Sequence, residues 1–247
     1  MRSEEFNLRQ LLFMSAMVLT VLLGLEAKAL SEPIDALQRA AEDAAQNYLA
    51  THAVRKLQIG AGGEDLPGWL NSDIVPTPDE IYLDATKRFP LPDESLNYIF
   101  SEHFFEHLTY AQGFDMLREC YRVLRPGGKL RTATPDLQKL IELFQEPKSD
   151  EMKAFIVGKL AWHEWPTSAR PEVMILNMQL RDFTHKFVYD STTLSARLME
   201  AGFHTVREFK PGESDDPEFA DVERRHHMPQ PYGWLNDYET MVLQAIK

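Results

Sequence analysis

The stretch from Arg55 to Gly63, which reads RKLQIGAGG, most constrains the fold of this chain. A short run typical of a β-strand leads directly into a cluster of glycines. Glycine adopts positive φ without steric cost, and its missing Cβ lets a ligand approach the backbone closely. In open α/β sheets, ligands bind beyond the carboxyl ends of the parallel strands. The stretch therefore predicts a binding loop at the end of the first strand of such a sheet.

The residues around this loop indicate which kind of ligand it would take. From Leu57 to Thr86 the chain has no lysine or arginine, and it has acidic residues at Glu64, Asp65, Asp73, Asp79, Glu80 and Asp84. The short segment 60–68 separates the first strand from the next predicted one, which leaves little room for a crossover helix. Without that helix there is no strong N-terminal dipole to hold a pyrophosphate. The pattern favours an adenosine ligand with a ribose, a positive charge and no phosphate, a description that S-adenosylmethionine meets.

Several ordered segments resemble the class I S-adenosylmethionine-dependent methyltransferases, in particular their type 11-like branch. These segments read LQIGAGG, GWLNSDI, YLDATKRFPLPDESLNYIFSEHFFEHL and CYRVLRPGGKLRTATPD, and a weaker echo continues to the C-terminus. The resemblance implies an α/β, Rossmann-like, doubly wound and mostly parallel seven-stranded sheet with an antiparallel last strand. It also implies S-adenosyl-L-methionine as the cofactor and methyl transfer as the activity.

The pattern of apolar residues and turn residues places the elements of this fold along the chain. Strands are predicted near 54–59, 69–74, 81–83, 96–100, 129–134, 204–209 and 239–246. Helices are predicted over 34–49, 104–108, 111–124, 137–144 and 191–201. We expect an apolar segment over 1–30, an N-terminal helix within 31–53, and a methyltransferase domain over 54–247 with a lid insertion at about 147–186.

The cofactor residues are expected just after the strands. Asp73 ends the second strand, where a carboxylate can accept hydrogen bonds from both ribose hydroxyls. The alternative for Asp73 is a purely structural turn aspartate. The resemblance implies that Asp84 meets the adenine amino group and that Ala85 contacts the ring. It further implies roles along the methionine part and the edge of the cofactor for Gly60, Ala61, Gly62 and Ser101.

Methyl transfer requires an acceptor held in line with the methyl group and, for an oxygen or nitrogen acceptor, removal of a proton. The candidate catalytic residues are Glu102, His103, Asp136 and His185. Glu102 follows the fourth strand, where the resemblance implies residues of the reactive centre, and Asp136 follows the fifth. His185 lies in the lid, where a structural role is the alternative. The sequence does not choose among these four.

Two other functions remain open. His103, Glu106 and His107 also form an H-x-x-E-H pattern, the inverted zinc-protease arrangement. Because these residues directly follow a predicted strand, the context favours the methyltransferase, and we expect no metal. A non-catalytic adenosine-binding or scaffold protein is the second alternative, since the loop and strand positions Gln58, Ala61 and Asn97 depart from the family pattern.

Composition bears on the acceptor. The formal net charge is −12, whereas surfaces that bind nucleic acid need clustered lysine and arginine. We therefore expect no nucleic acid partner and a small-molecule or glycan-type acceptor. The lid contains Trp162 and Trp165, whose rings could stack on such an acceptor or be buried in a helical cap. The single cysteine, Cys120, is expected to fill core space; the sequence gives no indication of oligomeric state.

The N-terminal thirty residues have a separate character. The run from Leu11 to Leu25 is almost entirely apolar, but it is short for a membrane span. The segment before it contains acidic as well as basic residues, so a secretory signal is poorly formed. Residues 11–25 are compatible with membrane association, with a signal, or with an upstream start artefact. We expect a cytoplasmic protein. Membrane association of that protein through residues 11–25 stays open as an alternative.

Overall fold

The structure is a computed structural model, and it describes residues 34–166 and 170–247. The expectations for residues 1–30 lie outside these ranges. Across the described ranges, no helix combines the length and the apolar character that a membrane crossing requires.

A seven-stranded sheet forms the centre of the molecule. Its strands are β1 (Lys56–Ile59), β2 (Leu70–Asp73), β3 (Ile81–Tyr82), β4 (Leu96–Glu102), β5 (Leu124–Pro135), β6 (Thr205–Phe209) and β7 (Thr240–Ile246). The spatial order is β3-β2-β1-β4-β5-β7-β6. Strands β1 to β5 pair in parallel, whereas β7 runs antiparallel to both of its neighbours, β5 and β6. The predicted doubly wound sheet with an antiparallel last strand is therefore confirmed.

Helices cover both the sheet and its carboxyl edge. They are α1 (Ile34–Thr51), α2 (Tyr110–Val123), α3 (Leu137–Glu142), α4 (Asp150–Trp162), α5 (Pro171–Arg181), α6 (Ser191–Glu200) and α7 (Tyr232–Glu239). Two short 3-10 helices cover Phe105–His107, just after β4, and Arg225–His227, which precedes α7. The predicted helix at 104–108 is the first of these, so a tight turn replaces the expected α-helix. Between β1 and β2 there is no helix, as predicted.

The main core packs against β1, β4, β5 and β7. Leu57, Ile99, Leu130 and Leu243 are almost completely buried in it. Cys120 on α2 is fully buried in the same core, which confirms its expected space-filling role. Strands covered on both faces are expected to be nearly continuous runs of apolar residues, which is why β4 and β5 were recognisable from their sequence.

A second, smaller core lies around the segment 147–186 that was predicted to be a lid. Helices α3, α4, α5 and α7 bury Leu140, Phe155, Ile175 and Leu235 against one another. Trp162 and Trp165 are partly buried at the margin of this second core. Their packing matches the structural alternative for the lid aromatics, a helical cap that buries its rings.

Candidate functional site

The carboxyl ends of the parallel strands bring the predicted site residues to one edge of the sheet. In a parallel sheet these ends lie side by side, so residues that follow different strands come together. The glycine loop follows β1, Asp73 ends β2, Asp84 lies just after β3, Glu102 ends β4, and Asp136 follows β5. His185 reaches the same edge from the loop after α5.

The backbone N–H groups of the glycine loop all donate to acceptors within the protein. Gly60 and Ala61 both donate to the Ser72 carbonyl, at 2.9 and 3.0 Å. The Gly62 N–H donates to Asp73 Oδ2 at 3.2 Å, and the Gly63 N–H donates to a Glu80 carboxylate oxygen at 2.9 Å. The next N–H, at position 64, turns back to the Ala61 carbonyl. The loop therefore offers no free N–H between residues 60 and 64 to a phosphate.

Gln58 explains how this loop keeps its shape. Its side chain is buried at the end of β1, where its amide donates to the Glu64 carbonyl and accepts from the Leu66 N–H. The donor–acceptor distances of these two hydrogen bonds are 3.0 and 3.1 Å. From the sequence, Gln58 was a departure from the family pattern. In the structure it closes the segment after the glycines.

Gly60 is held in a position that only glycine tolerates. Its φ is +71°, and an added Cβ would lie 2.2 Å from Cδ2 of Phe104. The Phe104 ring thus lies directly against the backbone of the loop. Gly62 also has a positive φ, +58°, but nothing lies within 4 Å of where its Cβ would be. The two glycines therefore share a backbone requirement and differ in their surroundings.

Asp73 and Asp84 present carboxylates near the loop. Asp73 accepts from the N–H groups of Gly62 and Val75, and burial raises its pKa. Asp84 accepts from the N–H and the hydroxyl of Thr86 through one oxygen, Oδ1. Each carboxylate has about four acceptor positions, so both retain capacity for hydroxyl or amino donors of a ligand.

Three of the predicted cofactor residues are buried by the protein itself. Ala61 and Ala85 are almost fully buried. Ser101 is completely buried in β4 and donates to the Thr132 hydroxyl at 3.1 Å. Ser101 therefore joins β4 to β5, and its side chain lies inside the sheet.

Glu102 holds a C-terminal segment over the end of β4. Its two carboxylate oxygens accept the backbone N–H groups of Arg224 and Arg225, at 2.8 and 3.1 Å. Burial raises the Glu102 pKa despite these donors. The Arg224 guanidinium donates to the Asp65 carbonyl at 2.9 Å, which ties the same segment to the glycine loop. No local pattern in the sequence indicates this contact between distant segments.

Arg225 brings a positive charge to the site. Its side chain is half-buried, and among residues 34–166 and 170–247 it has no carboxylate at ion-pair distance. Its charge acts on Glu102, His103 and His107, since it is among the groups that shift the pKa of each. A buried or half-buried guanidinium of this kind can bind an anionic or oxygen-rich group.

His103 is engaged on both ring nitrogens. Nε2 lies 3.1 Å from the Thr240 hydroxyl, and Nδ1 lies 3.3 Å from Glu106 Oε1. Its φ is +46°, a conformation that non-glycine residues adopt rarely and most often at functional sites. Burial lowers the His103 pKa, so the neutral imidazole is favoured.

Asp136 and His185 differ in how much of each remains available. Asp136 caps α3 by accepting the Gln138 N–H, and burial raises its pKa. His185 Nδ1 lies 2.6 Å from the Gln179 carbonyl. Because a carbonyl can only accept, Nδ1 must donate its proton there, which leaves the lone pair of the neutral ring on Nε2. Within the described parts of the chain, Nε2 of His185 has no hydrogen-bond partner. Both ring nitrogens of His103, the other histidine candidate, lie close to a partner.

Glu106, His107 and His185 form a compact group beside this edge. One ligand atom from each lies within 4.8 Å of those of the other two. Glu106 is fully buried; burial opposes its ionisation, but the surrounding histidines outweigh burial and lower its pKa to about 2. The H-x-x-E-H pattern implied that His103 and His107 act as a pair. In the structure it is His185, from a distant loop, that joins Glu106 and His107.

The backbone brings His185 to Glu106. The N–H groups of Lys186 and Phe187 both donate to the Glu106 carbonyl, at 2.8 and 3.2 Å. The preceding residues, Phe183 and Thr184, both have positive φ. This contact spans most of the domain in sequence, and no local pattern could have predicted it.

Part of the chain matches a known protein family. Residues 71–132 match the family model described as a methyltransferase domain. No curated protein matches the chain at a significant level. Among solved structures, a complex of the Haloferax volcanii Trm112 methyltransferase activator and a methyltransferase is similar over 86% of this chain and 94% of that chain, at 14% identity and a TM-score of 0.46. An Archaeoglobus fulgidus SAM-dependent methyltransferase is similar over 85% and 94%, at 17% identity and a TM-score of 0.44.

The residues at the edge of the sheet also fit the cofactor of this family. S-adenosylmethionine carries a cationic sulfonium, ribose hydroxyls and no phosphate, and the site offers carboxylates beside a loop without free N–H groups. Residues 71–132 match a methyltransferase domain, and they lie within a sheet that has the predicted doubly wound topology and an antiparallel β7.

Proposed function

We propose that the protein transfers a methyl group from S-adenosylmethionine to a small-molecule or glycan-type acceptor. The observation that supports this most is the glycine loop, whose N–H groups are spent on the protein while Asp73 and Asp84 keep free acceptor capacity. Such a loop disfavours a dinucleotide, which needs donors for its phosphates. It suits a cationic adenosine ligand.

The residues divide into those that would hold the cofactor and those that face the acceptor. Asp73 would accept from the ribose hydroxyls, and Asp84 from the adenine amino group. The cofactor supplies a methyl group on a positively charged sulfur, so the protein mainly has to place the acceptor in line. The acceptor would enter between the end of β4 and the lid, where Arg225 and His185 lie.

Charge supports the choice of acceptor class. The chain has a net charge of −12, which disfavours a polyanionic nucleic acid. Near the reactive edge, the unpaired guanidinium of Arg225 is suited to a single acidic or hydroxyl-rich group. A small acidic molecule or a sugar provides such a group without an extended phosphate backbone.

Calorimetric titration with S-adenosylmethionine and S-adenosylhomocysteine tests the cofactor part. We expect the wild-type chain to bind both, and Gly60→Arg and Asp84→Ala to bind neither. Asp43→Ala is the matched control, because it removes the same charge from the exposed face of α1. Unchanged affinity in both site variants would refute the proposed cofactor site.

Acceptor turnover separates the enzyme from a non-catalytic binding protein. A panel of small acids, amines and sugars is incubated with methyl-labelled cofactor, and labelled product is measured. Arg225→Gln is expected to raise KM for an acidic acceptor while cofactor affinity stays the same. Binding of the cofactor without transfer to any acceptor would favour the scaffold alternative.

A further inference from the structure

Glu106 has an unsatisfied atom at the centre of the group that it forms with His107 and His185. Its Oε2 accepts from the Thr134 hydroxyl at 3.0 Å, whereas its Oε1 makes no well-formed hydrogen bond: the nearest ring nitrogen, His103 Nδ1, lies 3.3 Å away, and the side chain is fully buried. A buried carboxylate oxygen without a well-formed hydrogen bond is energetically unfavourable. Such an atom in a native protein calls for a ligand.

His185 faces that oxygen with a lone pair. Its Nε2 lies 3.9 Å from Glu106 Oε1, and the proton of the neutral ring is fixed on Nδ1 by the Gln179 carbonyl. Two atoms that both carry lone pairs therefore face each other across a gap too long for a hydrogen bond. A cation between them would turn this repulsion into two favourable contacts.

We propose that Glu106, His107 and His185 bind a divalent transition-metal ion such as zinc. Two imidazoles and one carboxylate are a common set of three protein ligands for zinc, and they leave coordination positions open to water or to an oxygen of the acceptor. Magnesium and calcium prefer all-oxygen sites, so they are not expected to bind here. This inference concerns metal binding alone, and it does not depend on the proposed methyl transfer.

Each ligand is supported by a second contact that orients it. His185 donates to the Gln179 carbonyl, His107 Nδ1 lies 3.0 Å from the Thr184 hydroxyl, and Glu106 accepts from Thr134. Metal-binding histidines almost always have such a partner on the second nitrogen, since it fixes the tautomer and the ring plane.

The supporting contacts extend further into the lid. Gln179 donates through its side chain to Glu239 at 2.8 Å, and Glu239 pairs with the buried Lys159 at 2.7 Å. The loop that positions Thr184 and His185 has positive φ at Phe183 and Thr184. A strained loop braced by a buried network is consistent with a conformation kept for its side chains.

The test uses the full-length chain, freed of metal by dialysis against a chelator. Zinc is titrated in competition with a chromophoric chelator, and cobalt is titrated directly because its visible spectrum reports nitrogen ligation. We expect one zinc ion per chain and no displacement by excess magnesium. His185→Gln and His107→Gln are each expected to weaken zinc binding at least tenfold, and to abolish the cobalt spectrum.

Two controls keep the result interpretable. His204→Gln alters an exposed histidine at the start of β6 and should change nothing. The double variant His226→Gln/His227→Gln removes a neighbouring histidine pair that could bind zinc by itself. Near-UV circular dichroism shows which variants fold; if His185→Gln does not, the less central His107→Gln replaces it.

Three results would overturn the proposal. The first is no zinc binding by the wild-type chain. The second is full binding by both His107→Gln and His185→Gln. The third is loss of binding only in the His226/His227 double variant. None of these results bears on cofactor affinity, which is measured separately.

Discussion

Replacement of Gly60 by alanine should cost far more stability than the same change at Gly62. Both positions have positive φ, so each alanine pays about 1–2 kcal/mol for the left-handed conformation. At Gly60 the new Cβ would also lie 2.2 Å from the Phe104 ring. Displacement of a packed ring typically costs about 1–3 kcal/mol. We therefore expect Gly60→Ala to be the more destabilising by about that second amount.

A double-mutant cycle isolates the contact with the ring. In a Phe104→Ala background the two ring atoms nearest the new Cβ are gone and only the Cβ of residue 104 remains, at 3.1 Å, so Gly60→Ala should cost little more than Gly62→Ala. The coupling between positions 60 and 104 should then reach about 1–3 kcal/mol, well above the additivity error of about 0.5 kcal/mol. Gly62→Ala should show no coupling to Phe104→Ala.

Urea unfolding followed by tryptophan fluorescence gives these free energies. Gly60→Ala should shift the midpoint to lower urea while the slope stays the same. Equal costs for the two glycine variants would refute the reasoning. Additivity of Gly60→Ala with Phe104→Ala would refute it equally, because either result would mean that the ring does not restrict Gly60.

Other predictions concern stability and reactivity. Glu223→Ala should lower the free energy of unfolding by about 3–5 kcal/mol, because it leaves the fully buried Arg131 without its charge partner. Arg207→Ala, which removes an exposed ion pair, should lower it by at most about 1 kcal/mol. Similar losses for the two variants in urea unfolding would contradict this. Burial raises the pKa of the Cys120 thiol, so a disulfide reagent at pH 8 should modify it only after unfolding, and rapid modification of the native chain would count against it. Burial lowers the His163 pKa from 6.5 to about 4, so the unfolded chain takes up the proton first and stability should fall as the pH drops from 6.5 to 4; His163→Phe should make thermal unfolding less dependent on pH in that window, and an unchanged dependence would exclude this origin.

The strands and the glycine loop were predictable because their signals are local. Buried parallel strands are short apolar runs, and the positive φ of Gly60 and Gly62 follows from the tight turn after β1. The absence of a helix between β1 and β2 followed from the number of residues available. These features need no knowledge of distant contacts.

The helices of the predicted lid and the last helix were harder to predict from the sequence, for physical reasons. In α4 the apolar residues are spread around the helix and form no single stripe, because the helix packs against several neighbours. Helix α7 follows Pro229 and Pro231 and begins with Tyr232 and Gly233, which indicate a loop in the sequence. Tertiary packing overrides these local preferences.

The arrangement of the candidate site could be predicted only in part. The positions of Asp73 and Asp84 at the carboxyl edge were predictable, because Asp73 ends β2 and Asp84 follows β3. The partners of Glu102 come from positions 224 and 225, and those of Glu106 include a backbone contact from Lys186. Spacing along the chain contains no information about such pairings, so the sequence analysis left the four catalytic candidates open.

The second core has a consequence for the order in which the protein is completed during synthesis. Its buried residues include Leu235, and its ion pair needs Glu239, both from α7 near the C-terminus. Chains generally fold as their N-terminal parts leave the ribosome, so β1 to β5 can assemble while α4 and α5 still lack the helix that closes their core. The second core is therefore completed last. A nascent or truncated chain without its final segment would have the glycine loop and no completed lid.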